Sequence, residues 1–231
     1  MSPLRLLCPA ALLCLAASGT GLAQDRAVRL TEMGGASYAV PVRSMQQIKQ
    51  AGTLLQQYDF SCGSAAVATL LTHHYGRTTS EQEVFEQMFA AGDQDKIRRE
   101  GFSLLDMKRF LHTRGFEADG FQQPLDKLRE SGVPAIALIT ENGYHHFVVV
   151  KGLDNERVLI GDPANGTRAM ARAAFEAQWK QKLLFVVHNR MEIARFNLAS
   201  DWRAAPAAPL ASGLLRDALL NSMPRNGPGQ F

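Results

Sequence analysis

Apolar and polar positions change their period halfway along the chain, from a helical spacing to a strand spacing. From Cys62 to Tyr75 small and apolar residues (Ala65, Ala66, Thr69, Leu70) recur every three or four positions, and Gly76 stands where such a helix would stop. Ser80-Glu-Gln-Glu83 has the pattern of a capping box and opens a second helix with Val84, Phe85, Met88 and Phe89 on one side. Ser103-Leu-Leu-Asp106 predicts a third, running to about Arg114 before Gly115, and LDKLRESG after Pro124 predicts a short fourth. The period then shortens. The runs 133–140 (VPAIALIT), 144–151 (YHHFVVVK), 157–162 (RVLIGD) and 183–188 (LLFVVH) are rich in β-branched and aromatic residues, with Glu141-Asn142-Gly143 as a turn and a helix predicted near 171–180. A helical half followed by closely spaced strands is an α+β pattern with an antiparallel sheet.

The flanks read differently. SYAVPVRS (37–44) is a candidate early strand, and residues 24–36 read as mobile. Past Phe196 the chain becomes rich in Ala, Pro and Gly and reads as a loosely held tail, with a helical turn or two over Leu214–Leu220. At the start, Arg5 precedes an apolar run from Leu6 to Ala17, and Gly21-Leu22-Ala23 supplies the small residues of a cleavage site. This is the pattern of a secretory signal peptide cut after Ala23, and the run is short for a membrane anchor. The expected organisation is a signal peptide over 1–23, an N-terminal segment over 24–41, one domain over 42–190 and a C-terminal tail over 191–231. Beyond the signal no apolar run is long enough for a transmembrane helix, and the cleavable signal predicts export to the periplasm.

Export changes what the cysteines can be. Of three, Cys8 and Cys14 lie in the signal, which leaves Cys62 with no intramolecular partner for a disulfide. A lone cysteine is ordinarily a small buried hydrophobe. Cys62, however, sits in QYDFSCGSAA at a predicted helix start, where unpaired N–H groups and the helix dipole favour a thiolate. A thiolate nucleophile also needs an imidazole and a group to orient it. His145 and His146 open the second strand and Asp162 closes the third. Adjacent strand residues face opposite sides, so only one of the two histidines can serve, and spacing does not choose between them. The net charge of +3 contains no basic block, which gives no footing for nucleic acid. No cofactor is expected. The six histidines show no metal-ligand spacing with a cysteine, and His73-His74 reads as a surface pair. The absence of a CxxC argues against a disulfide oxidoreductase.

The stretches Gln56-Gln57-Tyr58-Asp59-Phe60-Ser61-Cys62-Gly63, His146-Phe147-Val148-Val149 and Gly161-Asp162-Pro163 resemble, in this order, the C39 family of cysteine peptidases. The resemblance runs from about Val42 to His188 and implies a papain-like fold, a helical half carrying the cysteine packed on an antiparallel sheet. It implies Cys62 as nucleophile, His146 as general base and acid, Asp162 as the group that holds the imidazole, and Gln56 as an oxyanion-hole donor, with Gln57 one position off that count. It also implies a protein or peptide substrate. Well-known C39 domains begin peptide exporters and cut after a double glycine, whereas this chain has a signal sequence and carries Ser61 where an acidic residue often stands. The SCGSAA and GFSLLDMKRFL segments resemble stand-alone periplasmic members encoded with functional-amyloid secretion systems, whose subunits or secretion components would be the partners. A C39-like module that only holds a peptide or chaperones a secreted subunit is the non-enzymatic alternative. An NlpC/P60 cell-wall amidase fits less well, because Asp-Cys-Ser-Gly is missing.

Overall fold

The structure, a computed structural model, describes residues 27–31 and 37–206; the signal sequence and the turn expected at 214–220 lie outside them. Ala27–Thr31 (β1) and Ser37–Pro41 (β2) pair antiparallel, so part of the segment read as mobile is a strand. This hairpin belongs to a unit over residues 1–43, separate from the one over 44–231.

The second unit opens with Met45–Gln50 (α1) and Cys62–Thr69 (α2), the latter running on through a wider π turn over Leu70–His74. Glu81–Ala91 (α3), Gln94–Glu100 (α4) and Leu104–Thr113 (α5) complete the helical half. There follow Ala118–Gln122 (β3), Asp126–Ser131 (α6), Ala135–Glu141 (β4), Tyr144–Leu153 (β5), Arg157–Asp162 (β6), Gly166–Ala171 (β7), Arg172–Gln178 (α7) and Leu183–Val187 (β8). Strands β3 to β8 form one antiparallel sheet in the order β3-β8-β4-β5-β6-β7. The α+β expectation therefore holds.

Helix α2 is buried along its whole length, a consequence of its sequence CGSAAVAT. Small side chains let it run through the middle of the domain, and a Cβ at Gly63 would come within 2.8 Å of Met107 Cε and 3.0 Å of Phe102 Cβ. Its two buried hydroxyls are bonded, Ser64 Oγ lying 2.8 Å from the Ser61 carbonyl and 2.7 Å from Glu81 Oε1, and Thr69 Oγ1 accepting from the Leu54 N–H at 2.9 Å. Around it, Phe102, Met107, Phe110 and Leu111 from the helical half meet Phe147, Val149, Phe185 and Val187 from one sheet face. The other face (Ala137, Ile139, Val148, Val150, Val158, Ile160) is closed by Leu125, Leu128, Phe175 and Trp179.

Besides β1, the elements α1, α4, β3 and β7 are additional to the sequence reading, as is a short helix over Ala199–Trp202. Helix α1 has a reciprocal capping box between Ser44 and Gln47, and α4 is capped by Asp93. Strand β3 (ADGFQ) has poor strand composition and forms because it is an edge strand on β8.

Two further expectations are corrected. His73-His74 is no surface pair: His73 is half-buried, and His74 is fully buried with Nδ1 donating to the Arg195 carbonyl at 2.6 Å. Burial, reinforced by the nearby Lys151 charge, lowers the His74 pKa to about 3, so it is neutral. Nor is the chain loose over residues 197–206. Asn197 exchanges hydrogen bonds with both backbone groups of Leu153, each 3.1 Å, and Trp202 lies under the Arg157 guanidinium. Gly152 allows this approach, since a Cβ there would stand 2.6 Å from Asn197 Oδ1. The anchor is Asp201, which pairs at 3.2 Å with Lys151, a fully buried lysine at a bulge of β5. Lys151 also donates to the Gly52 carbonyl and to Thr167 Oγ1. Burial holds its pKa below the ordinary lysine value.

Removing one partner of such a pair strands a buried charge. Asp201→Ala is therefore expected to cost about 3–5 kcal/mol in chemical denaturation, and combining it with Lys151→Met should recover most of that loss.

Candidate active site

The site is assembled from the tip of one helix and from four neighbouring strands, β4 to β7. Cys62 is the first residue of α2 and a buried free thiol. Ser61, in the capping position, makes no cap. Its hydroxyl turns back to Tyr58, donating to the carbonyl at 3.0 Å and accepting from the N–H at 3.1 Å. The first N–H groups of α2 are thus left uncapped by a side chain beside the thiol, the ordinary arrangement for an anion site. Tyr58 and Phe60 brace this loop by packing against Phe85 of α3, with ring centroids 4.9 and 5.9 Å away.

His146 opens onto the same place from β5. Its Nε2 donates to Asp162 Oδ1 at 2.8 Å, which leaves Nδ1 as the ring nitrogen open to Cys62, a neighbour in the same cleft. Alternation puts His146 on the face of Val148 and Val150, and Asp162 on the face of Val158 and Ile160. That is one and the same sheet face, so the two side chains meet across β5 and β6. His145 is exposed and points its Nδ1 at Thr140 Oγ1, 3.2 Å away.

Asp162 has no exposed side-chain surface and is surrounded by donors. Oδ1 accepts from His146 and from the Ala164 N–H at 2.9 Å; Oδ2 accepts from Asn165 Nδ2 at 3.1 Å and Arg168 Nε at 2.8 Å. The tight Asp-Pro-Ala-Asn-Gly turn wraps two of these donors around the carboxylate, with Gly166 at φ +79. Burial alone would raise its pKa; the bonds from His146, Asn165 and Ala164 outweigh burial and hold it well below the carboxylate range. For His146 burial likewise opposes the charge, but Asp162 and Cys62 win and raise its pKa to about 9. Its folded value lies above the unfolded one, so this protonation stabilises the fold fully below about pH 6.5 and is lost as pH rises through about 9.

Gln56 lies close by in sequence and is tied to the site by its backbone, whose N–H donates to the Pro163 carbonyl at 2.9 Å. Its Nε2 donates to the Tyr58 carbonyl at 3.0 Å, and its second hydrogen has only a long 3.5 Å contact with the Asp59 carbonyl. Gln57 is exposed. The cleft over Cys62, about 720 Å³, is lined also by Lys49, Asp59, Glu141, Tyr144 and Arg168. Arg168, Asn165 and Glu141 were not singled out by the sequence reading. Arg168 would have been visible had GTRAMA been read as an alternating strand returning beside RVLIGD, because it then lies opposite Ile160, next to Asp162 on the same face. Among the described residues, no three His, Cys, Asp or Glu side chains gather as a metal would require, and no helix is long and apolar enough to cross a membrane.

A titration of the His146 ring by NMR is expected to show a midpoint near 9. In Asp162→Asn the midpoint should fall by more than one unit, since burial then acts on an imidazole that has lost its charged partner.

Residues 51–191 match the sequence profile of the Peptidase C39 family. A protein of Pseudomonas fluorescens named probable functional amyloid protease FapD is 39% identical over 146 residues, 63% of this chain and 65% of that relative. Its namesake in Pseudomonas aeruginosa is 38% identical over 154 residues, 67% of this chain and 68% of the relative. The chain thus spans a little under two thirds of the length of the first relative and a little over two thirds of the second. The crystal structure of the peptidase domain of Streptococcus ComA, a bifunctional ABC transporter of a quorum-sensing pathway, superposes with a TM-score of 0.50 at 21% identity, over 59% of this chain and 97% of that domain. That likeness is one of fold, and it agrees with the papain-like expectation. This chain belongs to the Peptidase C39 family of cysteine peptidases.

Proposed function

We propose that this protein is an exported cysteine peptidase that cleaves a peptide bond in a secreted or periplasmic protein, with Cys62, His146 and Asp162 as its catalytic set. The observation that carries the reading is the row of a helix-tip thiol, an imidazole in the same cleft and the buried carboxylate bonded to that imidazole. Such a row is what nucleophilic acyl transfer needs. Cys62 Sγ, as thiolate beside the His146 imidazolium, attacks the scissile carbonyl carbon. The carbonyl oxygen becomes an oxyanion facing the uncapped N–H groups of α2. His146 gives its proton to the leaving amine as the C–N bond breaks, leaving a thioester on Cys62. Water, deprotonated by His146, then releases the acid and restores the thiol. Asp162 keeps the ring oriented and compensates its charge throughout.

Gln56 contributes a second oxyanion donor in this reading, through the Nε2 hydrogen that has only the long contact to Asp59. The export step rests on the residues 1–23 pattern, and a substrate drawn from a functional-amyloid system rests on the name borne by the two Pseudomonas relatives.

Incubation of the full-length secreted protein with candidate amyloid subunits and secretion components tests this reading. Cleavage is expected with wild type and with His145→Ala, and none with Cys62→Ala or His146→Ala. Cleavage that survives Cys62→Ala would remove the thiol mechanism. On any peptide so identified, Gln56→Ala should lower kcat by about 10²–10³ with little change in KM, because an oxyanion donor acts on the transition state.

A further inference from the structure

Asp162 offers two carboxylate oxygens, and only one of them faces the imidazole. Oδ2 receives Arg168 Nε at 2.8 Å, and Arg168 Nη2 reaches on to Glu141 Oε2, also at 2.8 Å. Arg168 comes from β7 and Glu141 from the end of β4, so two strands that do not pair with each other are joined across the site. From the imidazole onward charges alternate along the row: His146 positive, Asp162 negative, Arg168 positive, Glu141 negative. We propose that Arg168 and Glu141 are positioning residues of the peptidase, Arg168 locking the Asp162 carboxylate against His146 and Glu141 holding Arg168 in place, and that their charges set the pH at which His146 gives up its proton. This rests on the catalytic roles proposed above for His146 and Asp162.

Geometry supports a positioning role over a merely structural one. A carboxylate held at both oxygens cannot rotate away from the ring, and the planar guanidinium is the side chain suited to grip one oxygen while bonding elsewhere. The Arg168 and Glu141 side chains are 24% and 36% exposed, where an ion pair adds little to stability. Their electrostatic reach is another matter. Groups bonded to the two oxygens of one carboxylate lie on the order of 5–6 Å apart, well inside the screening length of physiological salt. The other charged or titratable groups facing His146 are Cys62 from α2, Asp162 from β6, and, around the cleft, Lys49 from α1, Asp59 from the loop before α2 and His145 from its own strand. Of these only Asp162 bonds to Arg168, so Arg168 and Glu141 can be altered while Cys62, Lys49, Asp59 and His145 keep their own contacts.

Opposite charges predict opposite signs. Removing a cation near an imidazolium favours its protonated form, and removing an anion disfavours it. In the full-length protein, the NMR midpoint of His146 is expected to rise by about half a pH unit or more in Arg168→Gln and to fall by a similar amount in Glu141→Gln. The double variant should return close to wild type, and Arg168→Lys should stay near it. Thermal midpoints should change little in Glu141→Gln, which keeps the test usable if Arg168→Gln folds poorly. Midpoints that stay at the wild-type value, or that move in the same direction in both variants, would overturn the proposal. Asp162→Asn run alongside separates the two levels. If it lowers the midpoint while the Arg168 and Glu141 variants do not move it, the positioning role alone fails. If it too is without effect, the pairing of His146 with Asp162 fails, and this proposal with it.

Discussion

A carboxylate with no solvent-exposed surface must be paired and fully hydrogen-bonded or it takes up a proton, and Asp162 is satisfied on every side. Much of the site's geometry follows from meeting that requirement. The Asp-Pro-Ala-Asn-Gly turn exists in the form that points Ala164 N–H and Asn165 Nδ2 inward. Strand β7 returns in the register that brings Arg168 alongside, and β5 presents the histidine whose parity matches Asp162. The charge so created raises the affinity of His146 for its proton and places an imidazolium in the cleft that Cys62 lines.

Cys62 is fixed by a different kind of constraint, packing. Helix α2 reaches the sheet only because its side chains are small, and Gly63 sits where Met107 and Phe102 leave no room for a Cβ. Its start is left uncapped because Ser61 spends its hydroxyl on Tyr58. The segment leading into it is braced from behind by a buried polar cluster. Lys151 holds the Gly52 carbonyl, Thr53 meets Thr167 hydroxyl to hydroxyl at 2.8 Å, and the Leu54 N–H donates to Thr69. The strap ending in Asp201 neutralises Lys151, so residues beyond the family-matched stretch contribute to the frame that holds the cysteine loop.

What the sequence makes legible follows from which signals are local. The helix start at Cys62, the caps at Ser80 and Ser103, and the apolar strands that carry His146 and Asp162 are written in short-range periodicity, and the chain forms them where expected. Spacing could not decide between His145 and His146, because that depends on which sheet face the neighbouring Asp162 shares. Only the motif resemblance favoured His146, and the structure gives it the Asp162 bond. Arg168 and Glu141 escaped notice since their meaning arises from a long-range register between strands, and GTRAMA is a weak strand sequence with Arg and Gly in it. His73, His74 and the 195–205 strap misled for a related reason. Polar and Ala/Pro-rich residues read as surface, whereas His74 bonds the Arg195 carbonyl and Asp201 pairs with Lys151, contacts between segments far apart in sequence.

The central claim is that Cys62 forms a covalent bond to the acyl half of its substrate. The most direct measurement is rapid quenching of the protein during turnover of an activated peptide ester, followed by mass analysis of the proteolytic fragment that contains Cys62. The account predicts a transient mass increase equal to the acyl group on Cys62 in wild type, absent in His146→Ala and absent from every other residue. Turnover with no adduct on Cys62, or an adduct on another side chain, would contradict it.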